Sequence, residues 1–394
     1  RHAALPERPR SPEEQKRLSL AAYRNMIHDE ENGGWFHAVV PGRRRMPENG
    51  AYLADCASAI WKLTGEVPQT PKLQPGGAHI RNSAAYFLTG RANTWLETLD
   101  RGAESLRRRQ QPDGSFQYDG QMRRGHFENT ASGVCARPAY QLLTHARYTG
   151  NAESLAAGLK AVDYMRRFRT PRGAQVWEVP LHTPDILASG YAVWANVLAH
   201  RLTGRPEYVD EARRWAVTGL PFVYQWSNRP IMHYATVPVL GATHWKAPNW
   251  IGLPVQWCGL VYAYAVLLLE EHDDTFDWHK LAEGILVCGE QMQYPQGPSI
   301  GCLPDVFVLK SQRRRPADIN PGALLSLRLR IEGQLDGLAC AIDGERRVVS
   351  PFPVALRQGQ AHIDSEPGVT YQLVIDGARI VDVTGRGNDV VPLK

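Results

Sequence analysis

The sequence predicts a mainly α chain: an (α/α) toroid of about five or six helical hairpins, followed by a small antiparallel β-sandwich. Three observations carry this. Apolar helices ending in Thr-Gly recur, each followed by an amphipathic helix. Long loops rich in Gly, Pro and aromatic residues separate the pairs. Past Pro316 the helical periodicity gives way to an alternation of apolar and polar residues between Gly, Asp and Pro turns. The expected division is a toroid over 1–315 and a β domain over 316–394.

Taken in order, "YLADCASAIWKLTGE" supplies the first ending, at Thr64-Gly65. "IRNSAAYFLTGRANTWLETLDRGAESLRRRQ" repeats it at Thr89-Gly90, "ARPAYQLLTHARYTGNAESLAAGLKAVDYMRRF" at Thr149-Gly150, and "YAVWANVLAHRLTGRPEYVDEARRWAVTGL" at Thr203-Gly204. "LVYAYAVLLLEEHDDTFDWHKLAEGILVCGEQM" is a variant lacking the Gly. A Gly just past a helix takes the left-handed conformation that closes it. The first helix of a pair is apolar nearly all round (Tyr191, Val193, Trp194, Val197, Leu198), which predicts an inner helix. The second carries Arg and Glu on one face, which predicts an outer one. Hairpins recurring every 45 to 60 residues or so form a repeat that closes on itself. "LLSLRLRIEG", "GLACAIDGERRVVS" and "GQAHIDSEPGVTYQLVIDGARIVDVTG" read as strands, with the boundary in "KSQRRRPADINPG".

A chain of 394 residues with 43% hydrophobic and 22% charged residues has the composition of a globular protein with a large core. No apolar run is long enough to span a membrane, so no membrane insertion is expected. The net charge of +5 is mild and predicts no nucleic-acid partner. Basic clusters at Arg43-Arg44-Arg45, Arg107-Arg108-Arg109 and Arg313-Arg314-Arg315 read either as solvated surface or as contacts for an acidic ligand. The six cysteines form no CxxC pair, which argues against a disulfide framework and a structural zinc site. The chain opens at Arg1, not Met, which suggests a processed or truncated product. Localisation stays open on that ground, with a periplasmic or secreted setting in view. Oligomeric state is not readable.

In such a toroid the loops running from outer to inner helices gather on one face, and the chemistry concentrates there. Trp35, Phe36 and His37 lie in the first, His79 and Arg81 in the next. "QQPDGSFQYDGQMRRGHFENTASG" brings Arg123, Arg124, His126, Glu128 and Asn129. "VWEVPLHTPDILASG" packs Trp177, Glu178, His182 and Asp185 into the mouth of a helix, more chemistry than a turn and a cap require. The loop before the next inner helix adds His233, Tyr234, His244, Trp245, Trp250 and Trp257, and a later one Asp305. Asp185 and Asn129 read equally well as plain N-caps. Several Trp residues interleaved with His and Gly mark a binding face, since sugars stack their apolar faces on aromatic rings. No cofactor is expected, although the His126–Glu128 and His182–Asp185 spacings leave a divalent metal open.

The segment "RRRQQPDGSFQYDG" resembles the outer-helix-to-loop stretch of α/α-toroid proteins, which include terpene cyclases, glycoside hydrolases and polysaccharide lyases. The DxDD motif of one terpene cyclase class is absent. A toroid followed by a β domain is similar to the polysaccharide lyases that cleave uronate-containing chains. That resemblance implies a carbohydrate-active enzyme with a polysaccharide or oligosaccharide partner, cleaving by β-elimination. Its roles fall on Asn129 with Arg123 or Arg124 as neutraliser, His182 or His233 as base, and Tyr234 as acid, with His126 also in the catalytic set. Trp177, Trp245, Trp250, Trp257, Arg81 and His244 would bind the substrate. The alternative is a glycoside hydrolase using two of Glu128, Glu178, Asp185 and Asp305; a second is a glycan-binding module without catalysis.

Overall fold

The computed structural model describes residues 3–123, 128–225, 232–241 and 249–393, with Arg123 described by its backbone alone. The helices are α1 (Pro12–Ala21), α2 (Ala54–Thr64), α3 (Ala84–Leu88), α4 (Ala92–Arg109), α5 (Ser132–Thr149), α6 (Ala152–Met165), α7 (Ile186–Thr203), α8 (Glu207–Gly219), α9 (Gln256–Glu270), α10 (Trp278–Met292) and α11 (Gly322–Ile331). The inner wall runs α5–α7–α9–α11–α2, each helix packing on the next. Their partners α6, α8 and α10 lie outside, α4 beside α5 and α1 beside α2. Burial follows composition: α9 is buried at every position from Gln256 to Leu269, whereas α4 buries only Ala92, Trp95, Ala103 and Leu106. The toroid expected from the sequence is the fold observed.

The Thr-Gly endings have a shared physical basis. Thr64, Thr149 and Thr203 each donate a hydroxyl hydrogen bond to the carbonyl four residues back, at 2.8, 2.8 and 2.7 Å. The same hydroxyls accept the N–H of Glu66, Asn151 and Arg205, two residues ahead. The Gly between takes φ of 73°, 77° and 70°. A side chain thus joins the last helical turn to the chain leaving it, and Gly supplies the left-handed step.

Two stretches differ from expectation. "LLSLRLRIEG" forms α11, with Leu324, Leu325, Leu327, Arg328 and Leu329 all buried. Leu at 325, 327 and 329 mimics strand alternation, and a helix enclosed on nearly every side shows no helical period to contradict it. The stretch carrying the expected boundary forms a strand, β4 (Arg313–Ile319), in a sheet with β1 (Ala38–Val40), β2 (Arg44–Met46) and β3 (Leu303–Val308) in the order β2-β1-β4-β3. This antiparallel sheet ties the N-terminal loop to the end of the helical repeat through the pairing Ala38↔Ile319.

The C-terminal strands are β5 (Ala339–Asp343), β6 (Arg346–Ser350), β7 (Val354–Arg357), β8 (Gln360–Asp364), β9 (Thr370–Ile375), β10 (Arg379–Thr384) and β11 (Asn388–Pro392). They make two antiparallel sheets, β10-β9-β6-β5 and β11-β8-β7. Val348, Tyr371 and Leu373 from one share a core with Ala361 and Ile363 from the other, giving the expected sandwich. Trp61 of α2 enters that core edge-on to Phe352 at 5.6 Å. The sandwich sits at the C-terminal ends of the inner helices: the Cys340 thiol donates to Arg147 O, and a Cβ on Gly377 would lie 2.6 Å from Thr149 O. The opposite end, where the inner helices begin, is left to the loops.

Candidate functional site

At that loop end the chain builds a column of rings. Trp257, in the first turn of α9, is nearly buried and stacks face to face on His79, 3.7 Å between centroids with planes at 13°. Trp177 also stacks on Trp257, with centroids 6.4 Å apart and planes at 27°. Its own ring is 51% exposed, so the column ends in a sugar-sized apolar face open to solvent. His37 meets His79 edge-on at 4.7 Å. The His37 ring is placed by the N-terminal strand β1 and by Asn320, which donates to His37 O at 2.9 Å and also to Gly77 O. His37 Nδ1 lies 2.9 Å from Gly77 O; a carbonyl only accepts, so Nδ1 carries the proton. Burial lowers the pKa of both rings, well below its ordinary value for His79, so both are neutral near pH 7.

Two carboxyl groups face this column. Asp305, on β3, accepts the indole N–H of Trp257 at 3.0 Å. Glu178, next to Trp177, is exposed, and the indole N–H groups of Trp250 and Trp177 act against the rise of its pKa. Loss of water raises both pKa values. The charge of Asp305 is a second cause of the rise at Glu178. Two carboxyl groups whose charges act on each other are candidates for acid and base roles.

The remaining predicted residues are placed elsewhere. Asp185 is fully buried as the N-cap of α7, accepting Ala188 N at 2.8 Å and Ala174 N at 3.0 Å. Arg81 pairs with buried Asp55 at 2.9 Å and donates to Ala78 O, bracing the loop that carries His79. Tyr234 is buried, with φ of 63°, and its hydroxyl donates to Ala3 O at 2.7 Å; His233 beside it is half-buried. His182 is half-buried near Glu128, and burial lowers its pKa. Glu128 is exposed and pairs with Arg167 at 3.1 Å, while exposed Asn129 accepts Tyr118 N through its backbone carbonyl. The Tyr234 hydroxyl is thus engaged by Ala3 O, and His182 lies beside Glu128 and Arg172. His126, Arg124, His244, Trp245 and the Arg123 side chain lie outside the described residues. Trp177, Glu178, Trp250 and Trp257 do converge, joined by Asp305, His37 and His79. The two histidines stood in aromatic loops, but nothing in their spacing announced that the folded chain would bring their rings together. Among the described residues no group of three His, Cys, Asp or Glu side chains is arranged around a metal position.

Asp185 gives a first prediction. Burial pushes its pKa up to about 6 from 3.8. A raised carboxyl pKa means the fold prefers the proton, so this stabilising contribution is complete below the unfolded value and is lost as pH rises through the folded one. Asp185→Asn removes the titration. Its melting temperature, compared with wild type at each pH, is expected to improve between about pH 4 and 6. The lost Ala174 bond adds only a constant offset, and parallel profiles would refute the assignment.

No family model matches the sequence, and no curated protein does. Solved structures do resemble the fold. An unsaturated glucuronyl hydrolase specific for heparin aligns with TM-score 0.54 at 13% identity, over 82% of this chain and 98% of that one. An unsaturated glucuronyl hydrolase from Bacillus sp. GL1 gives 0.43 at 14% identity, over 71% and 74%. Cellobiose 2-epimerase from Bacillus thermoamylovorans B4167 gives 0.44 at 11%, over 61% and 68%. At such identities the first alignment establishes a shared toroid fold.

Proposed function

We propose that the chain is a carbohydrate-active enzyme that cleaves a glycosidic bond by hydrolysis, with Glu178 as general acid and Asp305 as general base. The observation that carries this is the carboxyl pair itself. Two acids, one from a loop and one from strand β3, meet the indole column, and the charge of Asp305 raises the pKa of Glu178. Trp177 offers the exposed face for a sugar ring, and Glu178 beside it is placed to protonate the departing oxygen. Asp305, ionised and oriented by the Trp257 N–H, takes the proton of the attacking water. The fold alignment with a glucuronyl hydrolase supports the class of reaction. β-Elimination of a uronate, the leading expectation from sequence, has less support because the hydroxyl of its acid, Tyr234, is engaged by Ala3 O.

The test is product chemistry. The protein is incubated with neutral and uronate-containing oligosaccharides, and reducing ends and ultraviolet absorbance are followed together. Hydrolysis predicts reducing ends without absorbance. A new absorbance from a carbon–carbon double bond conjugated to the carboxylate would establish elimination instead. No bond cleavage on any member of the panel, with Trp177-dependent binding retained, would point to a binding module.

A further inference from the structure

The inner wall has a gap. Helix α3 stops after five residues, where α5 and α7 run for 18 and α9 for 15. The outer helix α4 therefore faces the centre of the ring directly, and a Cβ on its Gly102 would meet nothing within 4 Å. The space left is a cavity of about 1010 Å³, at the upper end of the size of small-molecule sites. None of His37, His79, Trp177, Glu178, Trp257 or Asp305 lines it.

Its lining repeats across three inner helices. Tyr140 on α5, Trp194 on α7 and Tyr264 on α9 form a belt, with ring centroids 4.6 and 5.0 Å apart. Seven residues further along each helix stands a charged residue: Arg147, Arg201 and Glu271. A step of seven returns to the same helix face two turns on, about 10 Å along the axis. An aromatic belt thus lies above a charged ring, and Arg330 joins the two, its guanidinium 5.5 Å from the Tyr264 ring centre.

The charges do not cancel. Glu271 is shared by Arg201, at 2.7 Å, and Arg330. Arg147 makes no ion pair among the described residues, and its charge acts on Arg201. Half-buried arginines at helix C-termini are often no more than partners of the helix dipole. That does not account for three of them beside Glu271 and Asp336 in an open cavity lined with stacked aromatics, where Arg147 is left over.

We propose that this lumen binds an anionic pyranose, a sugar ring bearing a carboxylate or a phosphate, at a site separate from the loop-end column. The ring's apolar face lies against Trp194, and the anion takes hydrogen bonds from Arg147 and its neighbours. This lumen site does not depend on the reaction assigned to Glu178 and Asp305.

Calorimetric titration of the full chain with glucuronate, glucose 6-phosphate, glucose and inorganic phosphate tests it. At least one anionic sugar is expected to bind roughly tenfold or more tighter than glucose and than inorganic phosphate, and to weaken as salt is added. The two anionic sugars distinguish carboxylate from phosphate. Arg147→Gln and Trp194→Phe should each weaken binding, while Arg346→Gln, on the exposed face of the sandwich, should leave it unchanged. Equal binding of glucose would overturn the proposal, as would equal binding of inorganic phosphate or no binding of any sugar. Loss of binding in Trp177→Ala would place the ligand at the loop end instead. If Arg147→Gln does not fold, Arg147→Lys and the salt dependence of wild type carry the same test.

Discussion

Arg328→Ala is expected to lower stability by about 3–5 kcal/mol, read from a denaturant midpoint or melting curve. Arg328, on the last inner helix α11, is buried, and its guanidinium contacts Oε1 of Glu290 on α10. Glu290 is completely enclosed, and burial raises its pKa even with the arginines present. From the N-terminal side Arg8 reaches the same oxygen at 3.2 Å, and Arg10 donates to Glu290 O at 2.9 Å. Nearby, Gln15 of α1 contacts Gln293 just past α10. Here the N-terminal segment packs on the last helical pair, so the cluster ties the start of the chain to the end of the helical repeat. Removing Arg328 leaves a buried carboxylate served only by Arg8, itself a third exposed. Desolvation of that acid supplies most of the loss. Replacing both partners, as Arg328→Met with Glu290→Met, should recover much of it, because the unpaired charge is then gone. A loss below about 1 kcal/mol in the single variant would show that the two are tied without this pair.

What the sequence disclosed and what it hid divide along a physical line. Local chemistry was legible. The Thr-Gly endings announced where α2, α5 and α7 stop, since the hydroxyl bridge and the left-handed Gly are encoded within a few residues. The uniform burial of α9 was visible in its composition. By contrast, the sheet β2-β1-β4-β3 depends on pairing between positions 38 and 319 and on strands as short as three residues, which carry no usable period. Yet that sheet delivers His37 and Asp305 to the site. The crowding at 177–185 was likewise resolved only in three dimensions. Asp185 is spent on capping α7, whereas Trp177 and Glu178 face the ring column. His182 and Tyr234 looked like partners because both stand in loops of the same face, but the Tyr234 hydroxyl is turned to Ala3.

Asp305→Asn is expected to lower turnover by roughly 10²- to 10⁴-fold on whichever saccharide the wild type cleaves, with a much smaller change in KM. The amide still accepts the Trp257 N–H, so the loop should keep its place and the melting temperature should hold. What is lost is the acceptor for the proton of water. Glu178→Gln should cost a comparable factor by removing the acid. The pH profile separates catalytic roles from mere scaffolding. In wild type the rate should fall as pH rises through the raised pKa of Glu178, because only the protonated acid can serve the leaving group. The charge of Asp305 is one cause of that rise. Asp305→Asn deletes it, so the alkaline limb of the residual activity should move to lower pH, toward the ordinary range of a carboxyl group. A purely structural aspartate would give reduced activity with the limb unmoved. Substrates with a good leaving group sharpen the distinction. They need little protonation, so they should restore much of the rate in Glu178→Gln and none of it in Asp305→Asn. An unmoved alkaline limb, or rescue of both variants by the activated substrate, would remove this pair from the chemistry and return the search to the neutral histidines stacked behind Trp257.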